Sequence, residues 1–147
     1  MNKRSPIYLD YAADTPLDEQ VLEAMRPYFS EQFYNPSATY SAGQAARKAL
    51  DKARTQVASV LGARGSEIIF TAGGTEANNL AIHGIMRQFP EGNIVVSGIE
   101  HESVLAPAHY YDFREVAVHP DGRIDLDDLS SKIDEKTVLV SIMYASN

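Results

Sequence analysis

Within the stretch FTAGGTEANN at residues 70–79, an apolar run gives way to Gly-Gly-Thr-Glu and then to an amphipathic pattern. Read as strand, turn and helix, the glycines let successive backbone amides point at one spot, and the helix start adds roughly half a positive charge there. A phosphate group suits that arrangement, with the Thr75 hydroxyl as an extra donor. The same residues serve equally as a plain strand-to-helix turn. Their spacing is neither that of a P-loop, which needs Gly-Lys-Ser/Thr, nor Gly-x-Gly-x-x-Gly.

His101, in SGIEHESV, follows the apolar run IVVS and is expected at the carboxyl end of a neighbouring strand. Ligands of open α/β sheets bind along that edge. A lone histidine is also commonly a surface or capping residue, and His-Glu at 101–102 does not open a zinc helix because position 105 is Leu. His83, His109 and His119 have no ligand spacing with it. Asn147 ends the last apolar run and falls on the same expected edge. Asp10, Tyr11 and the Asn-Pro-Ser turn at 35–37 read as structural. No Ser-His-Asp arrangement can be argued from spacing.

The elements that must carry these residues alternate along the chain. Residues 7–12 read as a short extended segment. A helix is expected over DTPLDEQVLEAMRPYF, capped by Asp14 or Thr15 with Pro16 in its first turn, and kinked or ended at Pro27. Ser41 and Gln44 form a capping-box pattern that opens the longest helix, whose stripe runs Ala46, Ala49, Leu50, Ala53, Val57, Val60, Leu61 and stops at Gly62. Strands are expected at 67–71, 93–97, 115–119 and 137–144. Helices are expected from the glycine turn to Phe89, at 102–111 with a break at Pro107, and at 125–133. Strands alternating with helices predict an α/β fold with a mainly parallel sheet in a three-layer sandwich. The chain ends directly after its last apolar strand, and is expected to stop inside its domain.

Composition narrows the function classes. Twenty Asp plus Glu against thirteen Lys plus Arg give a net charge of -7, which argues against binding a phosphate backbone. There is no cysteine, hence no disulfide framework, Cys-containing zinc site or thiol nucleophile among the 147 residues. No apolar run approaches the roughly 20 residues of a membrane span, and the N-terminus lacks the apolar core of a leader. A soluble, cytoplasmic protein is the expectation.

Taken in order, YLDYAADTPLDEQVLEAM, YNPSATYSAGQAARKALDKAR, EIIFTAGGTEANNLAI, SGIEHESVL, DGRIDLDDL and TVLVSIMYASN resemble the N-terminal part of the cysteine desulfurases. These are pyridoxal phosphate enzymes of the class V aminotransferase family, with the fold-type I architecture. GGTEANN and IEH are the specific elements. The match is closer to the housekeeping and nitrogen-fixation type than to the other main subgroup.

The resemblance implies that Gly74 and Thr75 bind the cofactor phosphate. It implies that His101 stacks on the pyridine ring and assists proton transfers, and that Asn147 lies near the cofactor's phenolate oxygen and the substrate carboxylate. The implied activity converts L-cysteine to L-alanine and passes sulfur, as a persulfide on an enzyme cysteine, to acceptor or scaffold proteins for iron-sulfur clusters or tRNA thiolation. A homodimer is implied. Residues 1–15 would be an N-terminal arm and 16–147 an incomplete large cofactor-binding domain, with the rest of that domain and a small domain missing.

The family's Schiff-base lysine, pyridinium-pairing acid, carboxylate-binding arginine and catalytic cysteine are not among these residues, and none of Lys3, Lys48, Lys52, Lys132 or Lys136 sits in the lysine motif. The 147 residues alone are therefore expected to be catalytically incompetent. Asp14, where the family often has threonine, and Tyr34, where glycine is commoner, depart from the pattern near the expected mouth of the site. The alternatives are another class V enzyme, such as a selenocysteine lyase or an aminotransferase, or a non-catalytic binding module.

Overall fold

The computed structural model describes residues 7–146. They form two compact units that divide between Ile69 and Phe70.

The first unit is helical. Its opening segment turns at residues 11–13, where the Ala13 amide donates to the Asp10 carbonyl at 3.1 Å, so the expected extended segment does not run through to 12. The first helix, α1, runs Glu19–Met25, later than its expected start. Asp18 is the cap: its Oδ1 accepts from the Gln20 amide at 2.8 Å and the Val21 amide at 3.4 Å. Asp14 instead accepts from the adjacent Thr15 amide at 2.8 Å, and Pro16 biases Thr15 away from helical backbone. Pro27 acts as expected, ending α1 and opening the one-turn helix α2, Pro27–Ser30.

The long helix α3 spans Ser41–Leu61. Its capping box does not form. The helix begins with Tyr40 as the cap, which moves Ser41 inside the first turn and Gln44 past the position from which it could reach back; Gln44 Nε2 donates to the Thr39 carbonyl instead, at 2.7 Å. Gly62 closes the helix as expected, at φ 65°, and the Ala63 amide reaches the Ala58 carbonyl at 2.8 Å. Much of the apolar stripe is open to solvent, Val60 and Leu61 most of all. The strand expected at 67–71 is not formed. A 3-10 turn occupies Gly65–Glu67, with Glu67 bonded to the Arg64 amide and guanidinium, both at 2.7 Å, and residues 68–73 enter no sheet.

The second unit holds the sheet. The helix α4, Gly74–Gln88, precedes β1, Asn93–Ser97; α5, Glu102–Ala108, leads to β2, Asp112–Val116; α6, Leu126–Lys132, leads to β3, Thr137–Ser141. All pairings are parallel and the order is β2-β1-β3, so the α/β class with a parallel sheet is the one observed. Three strands form among the described residues, not four. β1 is central and buried along its whole length, as a continuous apolar run in a parallel sheet should be. Ile94 and Val96 join Ile82 and Met86 of α4 and Val104 and Ala108 of α5 in one core. Each of the Ile, Val and Met side chains contributes roughly 1.5–3 kcal/mol by leaving water.

β2 lies three residues earlier than expected because β1 fixes its limits: Asn93 pairs with Asp112 and Ser97 with Val116. Beyond Val116 there is no partner strand, and the alternating pattern continues instead as an isolated bridge between Val118 and Ile124 around a turn with Gly122 at φ 84°. β3 likewise ends at Ser141, opposite Val96, rather than at Tyr144. The helix α5 stops at Ala108, one residue past Pro107. Asp125 caps α6 through its carboxylate, which accepts from the Asp127 and Asp128 amides at 3.0 Å.

Candidate functional site

At the amino edge of the sheet the polar groups are used up structurally. Asn93 is fully buried; its amide nitrogen donates to Asp134 Oδ1 at 3.0 Å and its oxygen accepts from the Thr137 hydroxyl at 2.8 Å. Arg114 pairs with Asp134 at 2.8 Å, and that guanidinium, with the Asn93 and Lys136 donors, lowers the Asp134 carboxyl from 3.8 to about 2.

The carboxyl edge differs. The helix α4 begins at Gly74, so the amides of its first turn lack intrahelical acceptors. Glu76 turns back to accept from the Ala72 amide at 2.6 Å, the Thr71 hydroxyl donates to the Gly73 carbonyl at 3.1 Å, and Asn79 Nδ2 donates to the Thr75 carbonyl at 2.9 Å. These contacts shape the first turn and leave the Thr75 hydroxyl without a partner among the described residues. The glycines are not there for their backbone angles. Gly73 lies at φ 170°, extended backbone open to any residue, and positive φ occurs only at Gly62 and Gly122 among the described glycines. A Cβ at Gly73 or Gly74 would meet no protein atom, so the glycines keep open the space in front of the helix.

His101 follows β1 by a short turn and is the cap of α5. Its Nδ1 accepts from the Ser103 amide at 3.0 Å and lies 2.8 Å from the Ser103 hydroxyl, which in turn accepts from Asn78 Nδ2 of α4 at 2.8 Å. The two readings of His101, capping residue and ligand-facing residue, are thus compatible: one ring nitrogen caps the helix and the other has no partner among the described residues. Glu100, just before it, is held by Ser97 at 2.9 Å and Ser141 at 3.2 Å, across the ends of β1 and β3.

Thr75 and His101 meet on one open cavity of about 430 Å³, which Asn79, Ser103, Pro107 and Tyr110 also line. A second open space of about 560 Å³ lies against Gly73, Gly74 and Thr75. Glu102 also lines the first space and Glu76, engaged with the Ala72 amide, the second; the amide donors, hydroxyl and imidazole among them suit an anionic group attached to a planar ring, and so fit the pyridoxal phosphate that the resemblance implies.

Asn147 lies outside the described residues. Asp14 and Tyr34 belong to the first unit, where Tyr34 stacks on Phe33 at 4.8 Å and meets Tyr40 edge-on at 6.4 Å. Lys132 is tied to Asp128 at 2.7 Å and to the Glu115 carbonyl. Asn78, Glu100 and Ser103 were not anticipated. The position of Ser103 two residues after a helix-start histidine was a usable signal for the last.

Among curated proteins the chain is 42% identical to the cysteine desulfurase IscS of Dictyoglomus turgidum, over 96% of this chain and 38% of that protein. It is also 42% identical to the cysteine desulfurase IscS 1 of Archaeoglobus fulgidus, over 95% of this chain and 38% of that protein. The chain thus spans well under half the length of these relatives. Among solved structures it matches a NifS-like protein with a TM-score of 0.90 at 35% identity, over 95% of this chain and 40% of that one. The apo cysteine desulfurase of Thermococcus onnurineus NA1 matches with a TM-score of 0.80 at 30% identity, over 96% and 37%. The sequence model for the aminotransferase class-V family matches residues 7–147, and with these relatives it shows that the chain belongs to that family.

Proposed function

We propose that this chain supplies the phosphate-binding and ring-facing part of a pyridoxal phosphate-dependent cysteine desulfurase, which takes sulfur from L-cysteine and leaves L-alanine. The observation that carries the reading is the meeting on one cavity, at the start of α4, of Thr75, whose hydroxyl has no partner among the described residues, and His101. The cysteine desulfurase names of the relatives support that reaction.

Gly74 and Thr75 hold the cofactor phosphate, through backbone amide and hydroxyl, against the positive end of α4. His101 would contact the cofactor ring and serve the proton transfers, and Asn147, outside the described residues, would contact the phenolate oxygen and the substrate carboxylate. The bound cofactor supplies an electron sink for the negative charge that develops at the substrate Cα. Sulfur transfer to a protein thiolate needs a cysteine, and the 147 residues hold none. Residues 1–15 act as an arm and 16–147 as part of the large domain.

In the cell this reading places the whole protein in the cytoplasm as a homodimer, handing persulfide sulfur to acceptor or scaffold proteins for iron-sulfur clusters or tRNA thiolation. The IscS names of the relatives support the iron-sulfur part of that reading. Among the described residues no helix is long and apolar enough to cross a membrane.

Titration of the chain with pyridoxal phosphate and with pyridoxal tests the site. Saturable binding that depends on the phosphate is expected, and equal binding of the two ligands would refute the phosphate role. With L-cysteine and cofactor, the 147 residues alone are expected to give no sustained alanine and sulfide.

A further inference from the structure

The His101 ring is held by contacts whose direction can be worked out. A backbone N–H can only donate, so the Ser103 amide 3.0 Å from His101 Nδ1 requires that nitrogen to be bare. In a neutral imidazole the proton then sits on Nε2. The Ser103 hydroxyl, 2.8 Å from the same Nδ1, strengthens the bias. Its oxygen already accepts from the Asn78 amide nitrogen at 2.8 Å, which turns the hydroxyl proton toward His101. Three side chains therefore form a one-way chain of donors from α4 through α5 to the ring. Ser103 is 8% exposed, so water competes poorly for its hydroxyl. The opposite tautomer would set two N–H groups against each other.

We infer that Ser103, oriented by Asn78, is a positioning residue that fixes the His101 ring with its proton on Nε2, so that the imidazole meets the cavity's ligand as a hydrogen-bond donor. Such a ring suits an acceptor atom on the ligand, such as an anionic oxygen, and disfavours a donor at that point. Only the ligand's identity rests on the pyridoxal phosphate reading; the tautomer does not.

The test is a long-range nitrogen-proton correlation spectrum of the chain labelled with ¹⁵N-histidine, at a pH where free imidazole is neutral. His101 is expected to show a bare Nδ1 and a protonated Nε2. In Ser103→Ala and in Asn78→Ala the tautomer ratio is expected to move by roughly 2- to 10-fold, the worth of one neutral hydrogen bond, and Ser103→Thr is expected to restore it. A protonated Nδ1 in the unsubstituted chain overturns the inference without recourse to any variant. An unchanged ring spectrum in both alanine variants also overturns it. Pyridoxal phosphate added to the same sample is expected to move the Nε2 resonance while Nδ1 stays bare. An unmoved spectrum would overturn the cofactor reading, while the spectrum of the free chain would still support the tautomer.

Discussion

Ser141, at the end of β3, donates its hydroxyl to the Glu100 carboxylate 3.2 Å away, across 41 residues of sequence. The other carboxylate oxygen takes the Ser97 hydroxyl at 2.9 Å, so one side chain staples the carboxyl ends of two adjacent strands immediately before His101. Hydrogen bonds to a charged group contribute about 1.5–3 kcal/mol. Glu100→Ala is therefore expected to lower unfolding stability by about that amount and to speed amide exchange at 98–101. Unchanged exchange there would show that the staple does not hold the loop.

The glycines at 73 and 74 separate folding from binding. Because a Cβ at Gly73 meets no protein atom and its backbone is extended, Gly73→Ala is expected to leave stability within about 0.5 kcal/mol while weakening binding of pyridoxal phosphate. Calorimetric unfolding and a binding titration on the same variant check both halves.

Gly43 is the contrasting case. A Cβ there would stand 2.7 Å from the Ala38 Cβ and carbonyl oxygen and 2.9 Å from the Asn35 carbonyl, all in or beside the Asn-Pro-Ser turn under α3. Two of those atoms are backbone and cannot swing aside. Gly43→Ala is expected to cost about 1–3 kcal/mol despite alanine's better helix propensity, as read from the midpoint of denaturant unfolding.

The amino edge of the sheet sets an acid limit. Asp134 is held at about 2 against an ordinary 3.8, first by the Arg114 guanidinium and then by the Asn93 amide. A carboxyl depressed in the folded state stabilises the fold above its unfolded value, and that contribution is lost as pH falls through its folded value. Stability should therefore drop between pH 3.8 and about 2. Asp134→Asn should flatten that part of the profile, and a profile unaltered by the substitution would rule the group out.

The parts of the fold legible in the sequence are those fixed by local chemistry. Pro27 ended α1, Gly62 ended α3, and the continuous apolar run at 93–97 formed the central strand. What failed depended on partners. The apolar run at 67–71 joined no sheet, and β2 stopped where β1 stopped although its own pattern ran on to His119. The site divides the same way. His101 does follow a strand as expected, whereas the strand expected before Thr75 is absent, and the glycines keep space open rather than bend the backbone. Asn78 meets Ser103 across 25 residues and Glu100 meets Ser141 across 41, and no local pattern encodes such meetings.

The central claim is that the start of α4 holds a phosphate through Thr75. Its most direct test compares pyridoxal phosphate affinity in the unsubstituted chain and in Thr75→Val. Thr75 is exposed and its hydroxyl bonds nothing else among the described residues, so the fold should be unaffected. The claim predicts affinity weaker by roughly 10-fold or more with unfolding stability unchanged, since a hydrogen bond to a charged group is lost. Equal affinity in the two proteins would contradict it.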